Sequence, residues 1–470
     1  MKCKGMKKLV FIWLVGVFVC LFEGCNETRQ AKYVFYFIGD GMGVNQVNGT
    51  EMYLAELDSV IGVKGLNFAS FPVRNYVTTY SSYNGVTCSA AAGTALATGE
   101  KTKNNTIGMD KEQKEPLYSV AVQAKESGRK VGIITSVGMN HATPAAFYGH
   151  QPRRTMYFEL GKDAIKTGFD LYGGGGIIQS VSPKDSTNLF DLLHEAGYLV
   201  VRGNEMFREK MVETSKLVVI QGGSQTTLPY AIDREEDDFT LSQMTEGAID
   251  FLSRGKQGFF LMVEGGLIDY ACHVNDAATT FREVMDFADA IQEAYEFYLT
   301  HPDETLIVVT ADHETGGIVL GTGSYQLNLR VLENQRVSLE KLTREIRELR
   351  NMKGNQVTWE DVQEMLAKNL GFWNTVNLSA EDERALKNCY QETFSGKTVE
   401  MVKNLYSENE PIAQLSINIL NRLAKISWAS GGHSAGVVPV YAVGVGAERF
   451  NGRLDNTDIP KIIRALAKYK

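Results

Sequence analysis

Three of the seven histidines stand beside carboxylates or glycines in patterns that suit a metal ion. Asp269 and His273 are four residues apart, so on a helix they would share one face and could chelate one ion. Asp312 and His313 are adjacent, which suits a strand end or a loop, and His433 lies in a glycine-rich stretch where backbone can approach closely. Each pattern alone is also typical of a helix-surface pair or a tight turn, so these residues by themselves leave a metal site and a structural role open.

Two further acids could complete such a site. Asp40 stands between glycines directly after an apolar run, and Glu264 follows another apolar run. With them the candidate set holds three histidines, three aspartates and one glutamate. Imidazole and carboxylate are the ligands that zinc prefers besides thiolate, and carboxylate oxygens also suit magnesium.

Ser89 is the candidate nucleophile. It is followed by Ala90, Ala91, Ala92 and Gly93, small residues that allow a helix to start and to pack closely. A serine at a helix N-terminus faces unpaired N–H groups and the positive end of the helix dipole, which lowers the pKa of the hydroxyl and holds an anionic substrate. The alternative is an N-cap serine with no catalytic role.

Near-continuous apolar runs lead into these polar residues and predict the strands that position them. The runs cover 33–38, 130–134, 259–263 and 305–309. Strands of this kind are typical of a parallel sheet that is buried on both faces. Helical patterns lie between them, for example over 115–126 and 276–298. The alternation predicts an α/β fold with a doubly wound, mostly parallel central sheet and helices on both faces, in which ligands gather at the carboxyl ends of the strands.

Residues 323–426 differ in character from the rest of the chain. They are charged and helix-like, and capping boxes are predicted at Thr358 with Asp361 and at Ser379 with Asp382. We interpret this stretch as a mostly helical insertion, after which the sheet resumes at 438–446. The sequence therefore predicts one catalytic domain over residues 31–470 that carries this insertion.

Residues 1–25 are interpreted as a signal peptide of the lipoprotein type. Four lysines precede an unbroken apolar run of 14 residues, 9–22, whereas a helix that spans a bilayer needs roughly 20. Gly24 directly before Cys25 resembles a lipoprotein cleavage site with Cys25 lipidated. The expectation is an exported protein, either periplasmic or anchored to the membrane through Cys25; soluble export and an uncleaved anchor are the alternatives.

Composition excludes several classes of protein. The 470 residues are 44% hydrophobic and 22% charged, which is typical of a globular chain and excludes disorder. Lys and Arg number 48 against 56 Asp and Glu, so the net charge is 48 − 56 = −8 at pH 7. An acidic balance without a basic cluster argues against sequence-independent nucleic-acid binding. Beyond Cys25, the three scattered thiols Cys88, Cys272 and Cys389 form no disulfide framework.

Six motifs, in order, resemble those of the metal-dependent alkaline phosphatases from about residue 33 to 446. They lie at 39–43, 89–91 with 98–102, 141–145, 264–269 with His273, 310–315 and 432–433. The resemblance implies an alkaline phosphatase that hydrolyses phosphate monoesters, with broad substrate range and an alkaline optimum. It implies two zinc ions and one magnesium ion as cofactors, a phosphoserine intermediate on Ser89, and a homodimer as a frequent state of the family.

The resemblance also assigns roles to individual residues. Arg154, eleven residues beyond Thr143, falls where the family places its phosphate-binding arginine, with Arg153 as the alternative if the register slips. The metal ligands carried over by motif are Asp269, His273 and His433 for the first zinc, Asp40, Asp312 and His313 for the second, and Asp40, Thr143 and Glu264 for magnesium.

Three residues near the site depart from the family's pattern. Cys88 stands where the family usually has an aspartate that tethers the arginine, which predicts a more mobile Arg154 and easier release of phosphate. His141 occupies a position that is aspartate in many bacterial members, and it should alter the surroundings of magnesium. Tyr270 stands where Lys, His or Trp is more familiar, so a neutral ring replaces a positive charge near the phosphate.

The sequence leaves alternative functions open. A phosphodiesterase or another esterase of the same superfamily is the main alternative, although such enzymes commonly use a threonine nucleophile. A sulfatase would need Pro and Arg soon after Cys88, which is followed instead by Ser89 and alanines. A scavenging lipoprotein without turnover would keep the metal ligands and lose the nucleophile, which is present here.

Overall fold

A computed structural model describes residues 29–223, 225–323, 325–394 and 399–470. The predicted signal segment 1–25, including Cys25, lies outside the described residues. Among the described helices, none combines the length and the apolar character needed to cross a membrane.

The central element is a sheet of ten strands. In chain order its strands are β1 (Tyr33–Gly39), β2 (Val73–Thr78), β3 (Lys130–Thr135), β4 (Leu171–Gly174), β5 (Leu199–Arg202), β6 (Leu217–Ile220), β7 (Phe259–Gly265), β8 (Thr305–Thr310), β15 (Val438–Gly444) and β16 (Leu454–Asp455). Six short strands lie outside it, namely β9 (Glu314–Thr315), β10 (Ile318–Leu320), β11 (Val402–Lys403), β12 (Glu408–Asn409), β13 (Ile426–Trp428) and β14 (His433–Ser434).

The strand order across the sheet is β16-β2-β15-β8-β1-β7-β3-β4-β6-β5. Every neighbouring pair is parallel except the two that involve β15, which runs antiparallel to β2 and β8. Strands β1 and β7 are buried along their whole length, as expected for central strands covered on both faces. This confirms the predicted α/β fold with a mostly parallel sheet.

Fifteen α-helices fall within the described ranges. They are α1 (Val44–Leu57), α2 (Ser89–Thr98), α3 (Val120–Glu126), α4 (Ala142–Ala145), α5 (Tyr157–Thr167), α6 (Leu189–Glu195), α7 (Gly203–Lys210), α8 (Leu241–Leu252), α9 (Leu267–His273), α10 (Ala277–Thr300), α11 (Leu339–Lys353), α12 (Trp359–Leu370), α13 (Ala380–Thr393), α14 (Pro411–Leu423) and α15 (Asp458–Ala467). Short 3₁₀ turns occupy Asn67–Ser70, Leu329–Asn334, Gly354–Gln356 and Ala447–Phe450.

Residues 323–426 contain helices α11 to α14 and the small β11–β12 hairpin. Their apolar faces form a second hydrophobic core, separate from the core around the sheet, in which Leu342, Leu366 and Leu420 are fully buried. This core includes Tyr53 of α1 and Phe281 of α10, so the segment is attached to the sheet's helical layer by apolar packing. Both predicted capping boxes are present, at the N-termini of α12 and α13.

One predicted element begins later than the sequence pattern indicates. A helix was expected over 115–126, but α3 starts at Val120, where the Ser119 side chain accepts a hydrogen bond from the Val122 N–H. Residues 115–119 are not helical: Ser119 has an extended backbone, and Pro116 forms an isolated bridge with Met109. A local N-cap and a proline therefore override the helical composition of 115–119.

Candidate metal centre

The site lies at the carboxyl ends of the four adjacent strands β8, β1, β7 and β3. Asp40 directly follows β1, Glu264 is near the end of β7, and Asp312 follows β8 by two residues. Parallel strands end at the same edge of a sheet, so three carboxylates that are far apart in sequence meet there. All three are fully buried.

The first candidate ligand group joins α9 to the short strand β14. His273 Nε2 lies 3.2 Å from Asp269 Oδ2, one helical turn away, and 3.2 Å from His433 Nε2. His273 Nδ1 donates to the carbonyl of Gly431 at 2.7 Å, and His433 Nδ1 donates to the carbonyl of Thr87 at 2.9 Å. Because each Nδ1 donates to a carbonyl, the neutral form of each imidazole directs its Nε2 lone pair at the same point, as metal ligands do.

The second group consists of Asp40, Asp312 and His313. His313 Nε2 lies 3.4 Å from Asp40 Oδ1 and 3.2 Å from Asp312 Oδ2. Thr315 Oγ1 donates its proton to Asp269 Oδ1 at 2.5 Å, so it accepts from His313 Nδ1 at 3.2 Å. His313 thereby also presents an Nε2 lone pair to two carboxylates, as a metal ligand would.

The third group surrounds Glu264 and the other oxygen of Asp40. Thr143, on α4, has its hydroxyl 3.4 Å from Asp40 Oδ2, and Thr135 at the end of β3 donates to Glu264 Oε2. Candidate ligand atoms of Asp40, His141 and Glu264 also lie within 4.8 Å of one another. His141 Nε2, however, accepts a hydrogen bond from Arg154 Nη2 at 2.9 Å, so in this arrangement His141 stands beside the group without a free Nε2 lone pair.

The donor set fits divalent cations. Four carboxylate oxygens are buried without any hydrogen-bond partner, one each from Asp40, Glu264, Asp269 and Asp312. A buried carboxylate without a partner is costly, and a bound cation removes that cost. The first two groups offer imidazole nitrogen and carboxylate oxygen, which suit zinc. Asp40, Thr143 and Glu264 offer oxygen alone, which suits magnesium.

Gly41 makes the close packing of the two histidine groups possible. Its φ is +73°, a left-handed conformation that favours glycine. A Cβ atom added there would lie 2.9 Å from Asp269 Oδ1 and 3.0 Å from the Asp269 Cα. The Gly41 N–H also donates to Asp312 Oδ1 at 3.1 Å, which orients that carboxylate.

Ser89 is the first residue of α2 and is fully buried. Its Oγ lies 3.1 Å from His313 Nε2, which places the hydroxyl against the second candidate ligand group. Four residues on, a Cβ added to Gly93 would lie 3.3 Å from both Ala146 Cβ and Thr143 Cα, so the small residues after Ser89 allow α2 to lie against α4. The candidate nucleophile and a candidate ligand are therefore positioned by one helix contact.

Arg154, and not Arg153, faces the site. Arg154 is 9% exposed, whereas Arg153 is exposed to solvent. The Arg154 backbone N–H donates to the carbonyl of Asn105, and the Asn105 N–H in turn donates to Cys88 Sγ at 3.0 Å. The greater mobility of the guanidinium, expected because Cys88 replaces an aspartate, stays a prediction; in the structure Arg154 Nη2 donates to both His141 and Tyr406.

Sequence reasoning missed Tyr406, Thr135 and Thr315. Thr315 lies in the 310–315 motif and could have been singled out as a partner of the histidine two residues before it. Thr135 ends an apolar run at the functional edge of the sheet. Tyr406 carries no local signal, because it lies in the insertion and reaches Arg154 across 252 residues of sequence.

The metal-free protein is expected to lose stability as the pH rises through the neutral range. Burial and the nearby Asp269 carboxylate raise the pKa of Asp312 to about 8, and burial raises the pKa of Glu264 to about 7. In the unfolded chain both groups ionise near pH 4, so between those values the folded state holds protons that the unfolded state releases. These bound protons stabilise the folded state fully below about pH 4, and their contribution to the free energy of unfolding is lost as the pH rises toward about 8.

The measurement is the thermal midpoint of chelator-treated protein at several pH values, with Asp312→Asn as the comparison. The variant keeps the shape of the side chain and cannot ionise, so its midpoint should fall less between about pH 5 and about pH 8. Parallel curves for the two proteins would contradict the prediction.

Both the sequence and the fold of this chain are similar to those of known alkaline phosphatases. The sequence profile of the family named "Alkaline phosphatase" matches residues 31–173 and 178–469. Alkaline phosphatase 4 of Bacillus subtilis is 31% identical over 452 residues, which cover 94% of this chain and 90% of that protein. Among solved structures, a cold-active alkaline phosphatase from Shewanella superposes with a TM-score of 0.78 at 29% identity over 93% of this chain and 99% of that one. The alkaline phosphatase of Thermus thermophilus gives 0.77 at 26% identity over 96% and 95%.

Proposed function

The chain belongs to the alkaline phosphatase family, and we propose that it hydrolyses phosphate monoesters through a phosphoserine on Ser89, at a centre of two zinc ions and one magnesium ion. The family's activity converts a phosphate monoester and water to an alcohol and inorganic phosphate. The observation that carries the finer proposal is the 3.1 Å separation of Ser89 Oγ from His313 Nε2 at the helix N-terminus, beside four buried carboxylates that each have one oxygen without a hydrogen-bond partner.

The residues that would hold the metal ions fall into three sets. We assign Asp269, His273 and His433 to the first zinc, Asp40, Asp312 and His313 to the second, and Asp40, Thr143 and Glu264 to magnesium. The inward lone pairs of the three histidines support zinc in the first two sets, and the all-oxygen donors support magnesium in the third. Bound divalent cations would supply Lewis-acid stabilisation of the negative charge on the transferring phosphoryl group and on the leaving oxygen.

Arg154 is the residue that would bind the substrate phosphate. Its guanidinium presents a planar fork of donors that matches two non-bridging phosphate oxygens, which a lysine cannot reproduce. Within the described ranges no carboxylate forms an ion pair with it, since its side-chain partners are His141 and Tyr406. The donors of the guanidinium are therefore not occupied by a protein carboxylate and can bind the phosphate.

Ser89 would perform the covalent step. Its Oγ attacks phosphorus in line with the ester bond and loses its proton, the P–O bond to the alcohol breaks, and the alcohol takes up a proton as it leaves. Water then attacks the phosphoserine from the vacated side and releases inorganic phosphate with the Ser89 hydroxyl restored. The N-terminus of α2 places unpaired N–H groups beside the anion throughout.

The proposal is tested with a chromogenic phosphate monoester at alkaline pH, with diester and sulfate analogues in parallel. Each is measured before chelation, after it, and after zinc and magnesium are restored. Turnover of the monoester that is lost on chelation and regained with both metals is the expected result. Metal-dependent turnover of the diester alone would favour a phosphodiesterase, and zinc binding without turnover of any ester would contradict an enzymatic role.

We also propose that the protein is exported as a lipoprotein with Cys25 acylated, so that the site faces the periplasm or lies outside the cytoplasm. The support is the sequence of residues 1–25. Cells fed labelled palmitate should incorporate the label into the wild type and not into Cys25→Ala, and a wild type without label would contradict the acylation. A homodimer is proposed from family membership, and light scattering of the purified chain tests it.

A further inference from the structure

We propose that Tyr406 is a positioning residue that holds the Arg154 guanidinium in place for the phosphate, an inference that rests on the proposed function. Tyr406 belongs to the insertion 323–426 and not to the motif-bearing part of the chain. Its phenol oxygen accepts a hydrogen bond from Arg154 Nη2 at 3.1 Å.

Tyr406 reaches the site from the tip of the β11–β12 hairpin. The turn is closed by a hydrogen bond from the Asn404 N–H to the Ser407 carbonyl at 2.9 Å. Behind the turn, Arg347 of α11 donates to the Glu408 carbonyl at 2.7 Å, and Arg350 of α11 pairs with the buried Glu410 at 2.8 Å. Hydrogen bonds and an ion pair thus attach β12 and the residue after it to α11, and these contacts fix the position of Tyr406 at the tip of the hairpin.

The ring of Tyr406 is itself held by aromatic contacts. It stacks on Tyr270 with centroids 3.9 Å apart and an interplanar angle of 12°. Its edge-to-face contacts are with His141 at 5.8 Å and with His273 at 5.3 Å. The ring is therefore oriented independently of its hydroxyl, so a variant that lacks only the hydroxyl should keep the hairpin in place. This stacking contact explains why a tyrosine stands at position 270, where the sequence departs from the family's pattern.

The partners of Arg154 explain why the hydroxyl matters. Nη2 donates to the His141 imidazole and to the Tyr406 phenol. His141 Nε2 accepts its hydrogen bond from an arginine, which can only donate, so that ring is neutral, as is the phenol. Two uncharged acceptors orient the guanidinium without neutralising it, which leaves its charge for a phosphate dianion. Loss of one acceptor lets the guanidinium rotate and raises the entropic cost of binding phosphate.

The test compares Tyr406→Phe with the wild type, using Leu405→Ala as the matched control. Leu405 is next to Tyr406 on the same turn and is 59% exposed. The readouts are the Kd of inorganic phosphate by titration calorimetry on the metal-loaded protein, and KM and kcat for p-nitrophenyl phosphate. For Tyr406→Phe we expect the phosphate Kd and KM to rise about ten- to a hundredfold, as for a lost hydrogen bond to a charged group, with kcat nearly unchanged. Leu405→Ala should match the wild type.

A rescue experiment separates positioning from general damage. Cys88 interacts electrostatically with the Arg154 guanidinium, so Cys88→Asp should place a carboxylate near it. In the Tyr406→Phe background it should restore most of the lost phosphate affinity. An unchanged Kd in Tyr406→Phe, or a fall in kcat without a change in Kd, would overturn the inference. If the wild type binds phosphate but turns over no ester, the proposed function fails while the Kd comparison still decides the role of Tyr406.

Discussion

Replacing Ser89 by alanine is expected to lower kcat for a phosphate monoester by about 10³-fold or more, since loss of the nucleophile in hydrolases of this covalent type has effects of that size. Ser89 Oγ is buried against the second ligand group, 3.1 Å from His313 Nε2, whereas the hydroxyl of nearby Thr87 donates to the Cys88 carbonyl. The variant retains the metal ligands and Arg154, so its zinc content and its affinity for phosphate should change little.

The measurement pairs steady-state kinetics with acid quenching of the enzyme during turnover, followed by mass spectrometry of the peptide that contains Ser89. The wild type should yield a phosphorylated peptide and the variant none. Ser253→Ala serves as the control, because Ser253 directly follows α8 and its hydroxyl donates to the Ile249 carbonyl of that helix. Retention of most of the wild-type kcat by Ser89→Ala would mean that water attacks the substrate directly.

Replacing Asp40 by asparagine is expected to lower kcat/KM by about 10³-fold, together with the affinity for both zinc and magnesium. Asp40 belongs to two candidate ligand groups at once, one with Asp312 and His313 and one with Glu264. A neutral amide removes one negative charge from both. A loss of about 4 kcal/mol of Lewis-acid stabilisation of the transition state corresponds to a fall of about 10³-fold in rate.

Metal content after dialysis against defined zinc and magnesium checks this prediction, alongside kinetics at increasing concentrations of each metal. Asp58→Asn is the matched control, because Asp58 lies at the exposed end of α1 and pairs only with Lys64. A variant that lost activity but kept wild-type occupancy at every metal concentration would show that Asp40 acts otherwise than as a shared ligand.

Much of the fold was predictable because the apolar runs are long and nearly continuous. The runs that became β1, β7 and β8 could only be buried on both faces, and this requires a mostly parallel sheet with helices on each side. The polar residues at their ends then had to share one edge. The direction of β15 was not predictable, because a short apolar run such as Val438–Gly444 is compatible with either pairing direction.

Pairs within one local element were also predictable. Asp269 and His273 share a face of α9 because the helical repeat places residues four apart together. Ser89 at the start of α2 followed from the small residues after it. The predicted start of α3 was wrong by five residues. The helix begins where the Ser119 side chain caps it, and residue composition alone does not indicate that hydrogen bond.

The amino-acid sequence by itself determined which residue types are present for phosphoryl transfer and which strands must carry them, since burial and periodicity are local properties. Only the tertiary structure decided which imidazole nitrogens face inward, because that depends on the carbonyls of Gly431 and Thr87, which accept from the opposite nitrogens. It also decided between Arg153 and Arg154 and brought Tyr406 from the insertion onto the guanidinium. Those contacts join residues far apart in the chain, so their geometry exists only once the sheet, its loops and the insertion have packed together.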